Sequence, residues 1–310
     1  MSLAPRAVLV HRTTEYTELV ARHGTHGQAA FFLASRGRDI AEVEERHHRQ
    51  QRALAEVAAA VPLDWRRTTV ERADLARFLF APEDVVVVVG PDGLVANTAK
   101  YLDGQPVIGV DTDPGRNLGV LVRHRPREVP GLLRAAASPA ADRHTERRIM
   151  VQAVTDDRQR LLALNEIYLG HPTHQTARYR LTVATTPTTS TGSPAPGAGE
   201  PQASSGILVG TGTGSTGWCH SAWRERARPF PLPGPTDPTL AWFVREAWPS
   251  PATGTEHVQG LLEGEQRLHV TVESDHLVAF GDGIESDALH LTYAQTIHLG
   301  PAPTHLHLLA

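Results

Sequence analysis

The sequence contains a single cysteine, Cys219, in 310 residues. An internal disulfide framework is therefore excluded, and a reducing compartment fits. An excess of charge of one sign is also lacking. The formal net charge of −4 gives no broad electrostatic attraction for nucleic acid or an anionic membrane. No apolar run approaches the roughly 18 residues of a membrane span. The N-terminus has no basic region followed by an apolar stretch, so no signal peptide is expected. These absences set the expectation of a soluble, cytoplasmic protein without nucleic-acid or membrane partners. Histidine, by contrast, is plentiful at 17. His47-His48 and the His305/His307 pair lack partners at zinc spacing and are expected to be surface or packing residues. A hydrophobic content of 40% and a charged content of 21% belong to a globular protein. The length suits two domains or one large one.

Along the chain, Ala7 to Val10 predicts a first strand, Thr14 to Arg22 a helix, and Ile40 to Ala60 a long, exposed helix. Val85 to Val89 are five consecutive β-branched residues, the pattern of a strand buried on both faces in a parallel sheet. A helix over Leu94 to Leu102 and a strand over Pro106 to Val110 complete a βαβ unit. After about residue 145 the character becomes β. Arg148 to Val154 and Leu161 to Tyr168 predict two strands about a turn at Asp156-Asp157. Tyr179 to Val183, Ile207 to Val209, Leu268 to Val272, Leu277 to Phe280 and Leu289 to Leu291 predict further strands. Thr185 to Ala203, made of Thr, Ser, Pro, Gly and Ala with few core formers, is expected to be a mobile loop.

Polar constellations interrupt this framework. The run Gly210-Thr211-Gly212-Thr213-Gly214-Ser215-Thr216-Gly217 follows an apolar strand with only Gly, Thr and Ser. Glycine permits positive φ and close approach of a ligand, and freed amides and hydroxyls can hold a phosphorylated or sugar-bearing molecule. Gly212 to Gly217 also fits G-x-G-x-x-G, but as a dinucleotide fingerprint it is weak. It lies in the β half, and Pro229 to Pro238 occupies the place of the acid-ending strand. A Walker A motif fails for want of a lysine. Gly90-Pro91-Asp92-Gly93 joins the buried strand to its helix, where backbone amides attract phosphate. Asp92 there either accepts a proton or organises a metal, or simply caps the helix. Asp111 ends the next strand, beyond whose carboxyl end ligands of open α/β sheets sit; Asp113-Pro114-Gly115 reads as a turn. Asn165 and Glu166 lie inside an apolar run, where strand alternation puts them on opposite faces. Phe280-Gly281-Asp282-Gly283 by itself reads as an ordinary turn.

Taken in order, these motifs resemble those of the NAD kinase family, within the wider group of kinases that share a Gly-Gly-Asp-Gly turn. The matches are Gly90-Pro91-Asp92-Gly93, Gly109-Val110-Asp111-Thr112-Asp113, Ala163-Leu164-Asn165-Glu166, Thr211 to Thr216 and Asp282-Gly283. The Thr-Asp-Pro and Ser-Ser-Gly wording looks most like the mitochondrial-type branch and its bacterial relatives. The resemblance runs from about residue 84 to 300. It implies an α/β N-terminal domain with a parallel, Rossmann-like sheet over residues 1–145, to which the tail 296–310 returns. A mostly-β, β-sandwich-like domain is implied over 146–295. It further implies transfer of the γ-phosphoryl group of ATP, with Mg²⁺, to the adenosine 2′-hydroxyl of NAD, by a homodimer or homotetramer. Asp92 would be the catalytic carboxylate. Asn165 and Glu166 would hold riboses and adenine. Ser215, Thr216 and Gly217 would line the NAD site with Trp218 at its edge. Gly90, Gly93, Asp111, Thr211, Thr213, Gly214 and Asp282 would complete the nucleotide and phosphate contacts.

Three departures bear on catalysis. Pro91 replaces a glycine and removes a backbone donor. Leu94 replaces a threonine, and Asp111 replaces an asparagine. The alternatives are an altered relative that binds NAD or NADP(H) as a sensor, and a lipid or sugar kinase with the same Gly-Gly-Asp-Gly turn.

Overall fold

The computed structural model describes residues 5–116, 119–138, 141–185, 199–226, 228 and 230–310. By its internal contacts the chain divides into two units, residues 1–146 with 307–310, and residues 147–306.

Unit 1 is built on parallel strands β1 (Arg6–His11), β2 (Arg66–Glu71), β3 (Asp84–Val89) and β4 (Pro106–Val110), in the spatial order β2-β1-β3-β4. Every residue of β3 is buried, as its uninterrupted valines predict for a central parallel strand. Asp84 at its start is buried as well. Its carboxylate accepts from Arg6 Nε at 2.7 Å and from the Ala81 amide at 2.7 Å, so the charge is compensated.

Between β1 and β2 lie α1 (Glu15–His23), α2 (His26–Ala34) and α3 (Ile40–Ala60). Each begins on a residue whose side chain accepts from the first turn: Thr14, Thr25 and Asp39. Helix α2 has no counterpart among the elements expected from the sequence. Helix α3, expected to be exposed, has a buried face of Val43, Gln50, Ala53 and Val57. Ala53 and Val57, with Val129 and Leu133 of α5 (Val129–Ala136), cover Ala7, Leu9, Val85, Val87 and Ile108 of the sheet. Helix α4 (Asp92–Ala99) connects β3 to β4 and is buried from Leu94 onward. The unit is closed by the end of the chain: His307 and Leu308 pair in parallel with Pro106 and Val107 of β4.

Unit 2 is a sandwich of antiparallel sheets. Its strands are β5 (Thr145–Thr155), β6 (Arg160–Ala163), β7 (Glu166–Gly170), β8 (Ala177–Thr185), β9 (Glu200–Ser204), β10 (Gly206–Gly210), β11 (Leu240–Arg245), β12 (Gln259–Leu262), β13 (Gln266–Val272), β14 (His276–Gly281), β15 (Ile284–Thr292) and β16 (Thr296–Leu309). One layer runs β16-β13-β8-β9, with β5 pairing β16 and β6. The other is six-stranded, in the order β12-β11-β10-β7-β14-β15. Alternate residues of both layers form one core, among them Val151, Ile167, Tyr179, Ile207, Trp242, Leu268 and Ile297. Helix α6 (Trp218–Glu225) covers the outer face of the second layer through Cys219 and Ala222, against Leu208 and Phe243.

Three readings of the sequence are revised here. Leu161 to Tyr168 is not one strand: β6 belongs to the first layer and β7 to the second, so the chain changes layer at Leu164-Asn165. Asn165 therefore lies at a corner, and strand alternation does not set its direction. The tail that returns to unit 1 is shorter than 296–310. Residues 296–299 pair with β13, and residues 307–310 belong to unit 1. Of the expected loop over 185–203, residues 200–203 form β9, and 186–198 lie outside the described residues.

Candidate functional site

The first polar turn stands at the carboxyl end of β3. The Gly90 amide donates to the Val110 carbonyl at 3.1 Å, which holds the turn against β4. Pro91 is the N-cap residue of α4 and makes no side-chain cap bond. Asp92 opens the helix, yet its carboxylate points elsewhere. Oδ1 accepts from the amides of Leu121 at 2.7 Å and Val122 at 2.9 Å, and Oδ2 has a longer contact, 3.4 Å, with the Val120 amide. The helix-cap alternative is thus set aside, and a brace for the 120–122 segment replaces it. A carboxylate offers about four acceptor positions, so acceptor capacity remains on Oδ2. Gly93 is exposed, whereas Leu94 is buried in the helix face and serves packing.

Asp111 closes a small turn just past β4. Its Oδ1 accepts from the Asp113 amide at 2.9 Å, and its own amide donates to His124 O at 2.9 Å. Asp113, read as part of a plain turn, also forms an ion pair with Arg49 of α3 at 3.1 Å.

Beside this turn lies a cavity of about 240 Å³ within unit 1, which reading the sequence did not reveal. Arg12, from the segment after β1, and Arg116, from the segment after β4, line it together with Pro91 and Thr112. The available signal was positional: once strands are placed at 7–10 and 106–110, the residues just beyond them stand at the carboxyl edge of a parallel sheet.

The second polar cluster forms in unit 2, at the corner where the chain changes layer. Asp282 occupies the hairpin turn between β14 and β15. It and Gly283 have φ of 54° and 68°, as a two-residue type I′ turn requires. Its carboxylate accepts from the amides of Leu164 and Asn165, each at 2.8 Å, and from Glu166 at 3.3 Å. From the other side, Thr211 Oγ1 donates to Leu164 O at 2.5 Å and the Thr211 amide donates to Asn165 O at 2.9 Å. Three of the expected ligand-contacting positions, Asp282, Thr211 and the Asn165 backbone, are therefore joined to one another.

The Gly-rich turn continues from this corner. Thr211 Oγ1 accepts from the Thr213 and Gly214 amides at 3.1 and 3.3 Å. The hydroxyls of Ser215 and Thr216 donate to the carbonyls of Thr211 and Thr213. Thr213 is buried and Thr216 is exposed. The glycines do not serve positive φ, as the sequence suggested; Gly212, Gly214 and Gly217 all lie outside that region. Close approach is the reason. A Cβ on Gly212 would stand 1.7 Å from Gly234 O, and one on Gly214 2.3 Å from Asn165 O. Gly217, by contrast, is exposed, and a Cβ there would meet only Gly214 O, at 3.8 Å.

Glu166 begins β7 beside this turn, opposite Gly210 in register. Its side chain has no hydrogen-bond partner among the described residues. Burial, with a smaller contribution from the Asp282 charge, pushes its pKa up to about 8. The carboxyl is therefore mainly protonated at neutral pH and able to donate. Cys219 is fully buried nearby, and burial raises its thiol well above the ordinary value, so it is inert packing. Trp218 stacks on Tyr168 with ring centroids 5.5 Å apart and planes at 17°, and the Arg245 guanidinium lies 5.2 Å from the Trp218 ring centre. Tyr168 was not singled out in the sequence; it is fixed by its hydroxyl donating to Ser205 O at 2.7 Å. Among the described residues no group of three or more His, Cys, Asp or Glu is arranged to hold a metal ion.

No family model matches the sequence, and no curated protein does. Solved structures do. An NAD kinase from Archaeoglobus fulgidus in complex with ATP superposes with a TM-score of 0.56 at 17% identity, covering 98% of this chain and 93% of that one. Yeast NADH kinase complexed with NADH gives 0.55 at 12% identity, covering 99% and 84%. The chain has the fold of the NAD kinases. Within the NAD kinase fold of this chain, the Gly90–Gly93 and Asp111 motifs belong to unit 1. The Asn165-Glu166, Gly-rich and Asp282 motifs belong to unit 2.

Proposed function

We propose that the chain is an NAD kinase-like phosphotransferase that moves the γ-phosphoryl group of ATP to the adenosine 2′-hydroxyl of NAD. The observation that carries this reading is the corner at Leu164-Asn165. There the Asp282 and Thr211 side chains fix the backbone and leave a protonated Glu166 unbonded beside the Gly-rich turn. Such a group donates a hydrogen bond to a ribose oxygen or a ring nitrogen, and the exposed Thr216 and Gly217 add polar atoms of the kind a dinucleotide uses. The likeness to folds that bind ATP in one case and NADH in the other supports the same pairing of ligands.

In this reading Asp92 uses its remaining acceptor capacity to orient the 2′-hydroxyl. Asn165 and Glu166 hold the adenosine moiety, and Trp218 on its Tyr168 support borders it. Phosphoryl transfer asks the protein mainly for positioning and charge neutralisation. Mg²⁺ fits as an ion carried by the donor phosphates, since it commonly binds through one or two carboxylates plus substrate oxygens. Incubation of the purified protein with NAD, ATP and Mg²⁺ tests the proposal, with NADP as the product measured. Absence of NADP with NAD and with NADH, from both ATP and inorganic polyphosphate, rejects it.

A second reading, a relative that binds NAD or NADP(H) without transferring phosphate, is favoured by one observation. Pro91, which lines the unit 1 cavity, has no amide to offer there. Tight NADP(H) binding without turnover is the result that selects it.

A further inference from the structure

Folding brings together two histidines that stand 14 residues apart in the sequence. His276 opens β14, and His290 lies toward the end of β15, the edge strand of the six-stranded layer. The register sets His276 opposite Thr292 and Val278 opposite His290. The two imidazoles are therefore diagonal neighbours on one face of the hairpin. The core lies on the other face, where Leu277, Ala279, Leu289 and Leu291 are buried. His290 is exposed and His276 is half-buried. His276 Nε2 and His290 Nδ1 stand 3.1 Å apart, with ring centroids at 5.3 Å and planes 19° apart.

Stability gives this contact little reason to exist. A cross-strand pair contributes about 0.2–1 kcal/mol, and at the surface both nitrogens find water instead. Chemistry gives it more. In the neutral pair one nitrogen donates to the other, and neutral imidazole is also the commonest protein ligand for a metal. Two bonds of about 2.0–2.1 Å that span 3.1 Å enclose roughly 95–100° at the ion. That is near the right angle between neighbouring ligands of tetragonal Cu²⁺ or Ni²⁺. The two nitrogens now face each other, so a turn of both side chains is needed to aim them at one ion. Neither ring makes another hydrogen bond among the described residues, and nothing of that kind opposes the turn. No third His, Cys, Asp or Glu joins them among the described residues, so water completes the coordination shell.

We infer that His276 and His290 form a cross-strand binding site for a late first-row divalent cation, Cu²⁺, Ni²⁺ or Zn²⁺, with Cu²⁺ held most tightly. Such an ion ties the open end of the hairpin whose closed end carries Asp282, the residue that fixes the Leu164-Asn165 corner. Mg²⁺, which takes oxygen ligands, does not suit two imidazoles. The site stands independently of the proposed function.

Calorimetric titration of the untagged full chain with Ni²⁺ tests the site, using His276→Gln and His290→Gln. His174→Gln, on the exposed turn between β7 and β8, is the control. Loss of an outer-shell partner alone weakens metal sites by about 10–100-fold, so removal of one of two protein ligands predicts at least about ten-fold weaker binding. The control should bind as the parent does. With one equivalent of Cu²⁺, electron paramagnetic resonance should show coupling to two imidazole nitrogens in the parent and to one in either variant. Thermal melts show whether each variant remains folded. They should also show a melting temperature raised by Ni²⁺ in the parent and not in the variants, since an ion that spans two strands favours the folded chain. Unchanged Ni²⁺ affinity in both folded variants overturns the inference, as does failure of the parent to bind, a one-nitrogen copper spectrum in the parent, or a parent melting temperature that Ni²⁺ leaves in place.

Discussion

At the scale of single residues, Asp92 and Glu166 make opposite uses of a carboxyl group. Asp92 is engaged by the 120–122 backbone, so Asp92→Asn has a structural as well as a chemical consequence. It puts an NH₂ or a single carbonyl where two oxygens accepted amides. We expect a loss of phosphoryl transfer of about 10²–10⁴-fold together with about 1–3 kcal/mol of stability. Both are read on one preparation, by turnover and by denaturant melts. A stability loss with normal turnover would make Asp92 a brace and nothing more.

Glu166 is held protonated. A carboxyl whose pKa rises on folding, here to about 8, keeps a proton that the unfolded chain releases near its ordinary value of 4.5. Stability is therefore greatest below about pH 4.5 as far as this group is concerned, and declines as pH rises toward 8. Glu166→Gln, which remains neutral, is expected to remove that decline and to melt at a higher temperature than the unaltered protein at pH 8–9. A melting temperature for the glutamine variant that tracks the parent across pH 5–9 would contradict the assignment.

At the scale of elements, the corner between β6 and β7 governs the unit 2 site. Asp282 is expected as a nucleotide contact, and its carboxylate accepts from the backbone amides of Leu164, Asn165 and Glu166. Asp282→Ala leaves those amides without their acceptor, and a cost of about 3 kcal/mol or more is expected, measured by equilibrium unfolding. Removal of the neighbouring charge should also bring the Glu166 carboxyl back down from about 8, which a pH titration of the variant detects. Gly214→Ala sets a Cβ against Asn165 O and is expected to cost about 1–3 kcal/mol or more. A melt indistinguishable from the parent would show that the turn adapts without strain.

The sequence made the elements on either side of these turns legible, because runs such as Val85 to Val89 and Ile207 to Val209 carry their burial in their composition. It could not make the corner legible. Leu161 to Tyr168 reads as one apolar segment, and the break is imposed by Asp282, a residue more than a hundred positions away. The same limit applies to the Arg12-Thr13 segment: its backbone is held by Gln50 and Glu71, which only folding brings together.

At the scale of the whole molecule, a second buried pair opposes Glu166. His269 and His298 face each other across β13 and β16 with ring centroids 4.4 Å apart. Burial, and then the neighbouring imidazole, push His269 down to about 4. A histidine kept neutral by folding adds stability above its unfolded value near 6.5 and withdraws it as pH falls toward 4. With Glu166 acting in the other direction, the two slopes oppose each other between about pH 4.5 and 6.5, and Glu166 alone governs from there to 8. His269→Gln should therefore flatten the acid limb of a pH–melting curve and leave the alkaline limb in place. An acid limb of unchanged steepness would place its origin elsewhere.

The last strand has a consequence for biosynthesis. The second strand neighbour of β4, on the side away from β3, is supplied by His307 and Leu308. A ribosome that has finished residue 146 must still make residues 147–306 before that neighbour exists, roughly 8–32 s at about 5–20 residues per second. Through that interval the start of β4, at Pro106 and Val107, carries an open edge of hydrogen-bonding groups, the feature that recruits foreign strands. The nascent N-terminal half is thus a natural client for chaperones, and expression of residues 1–146 alone is a route to aggregates rather than to a folded unit.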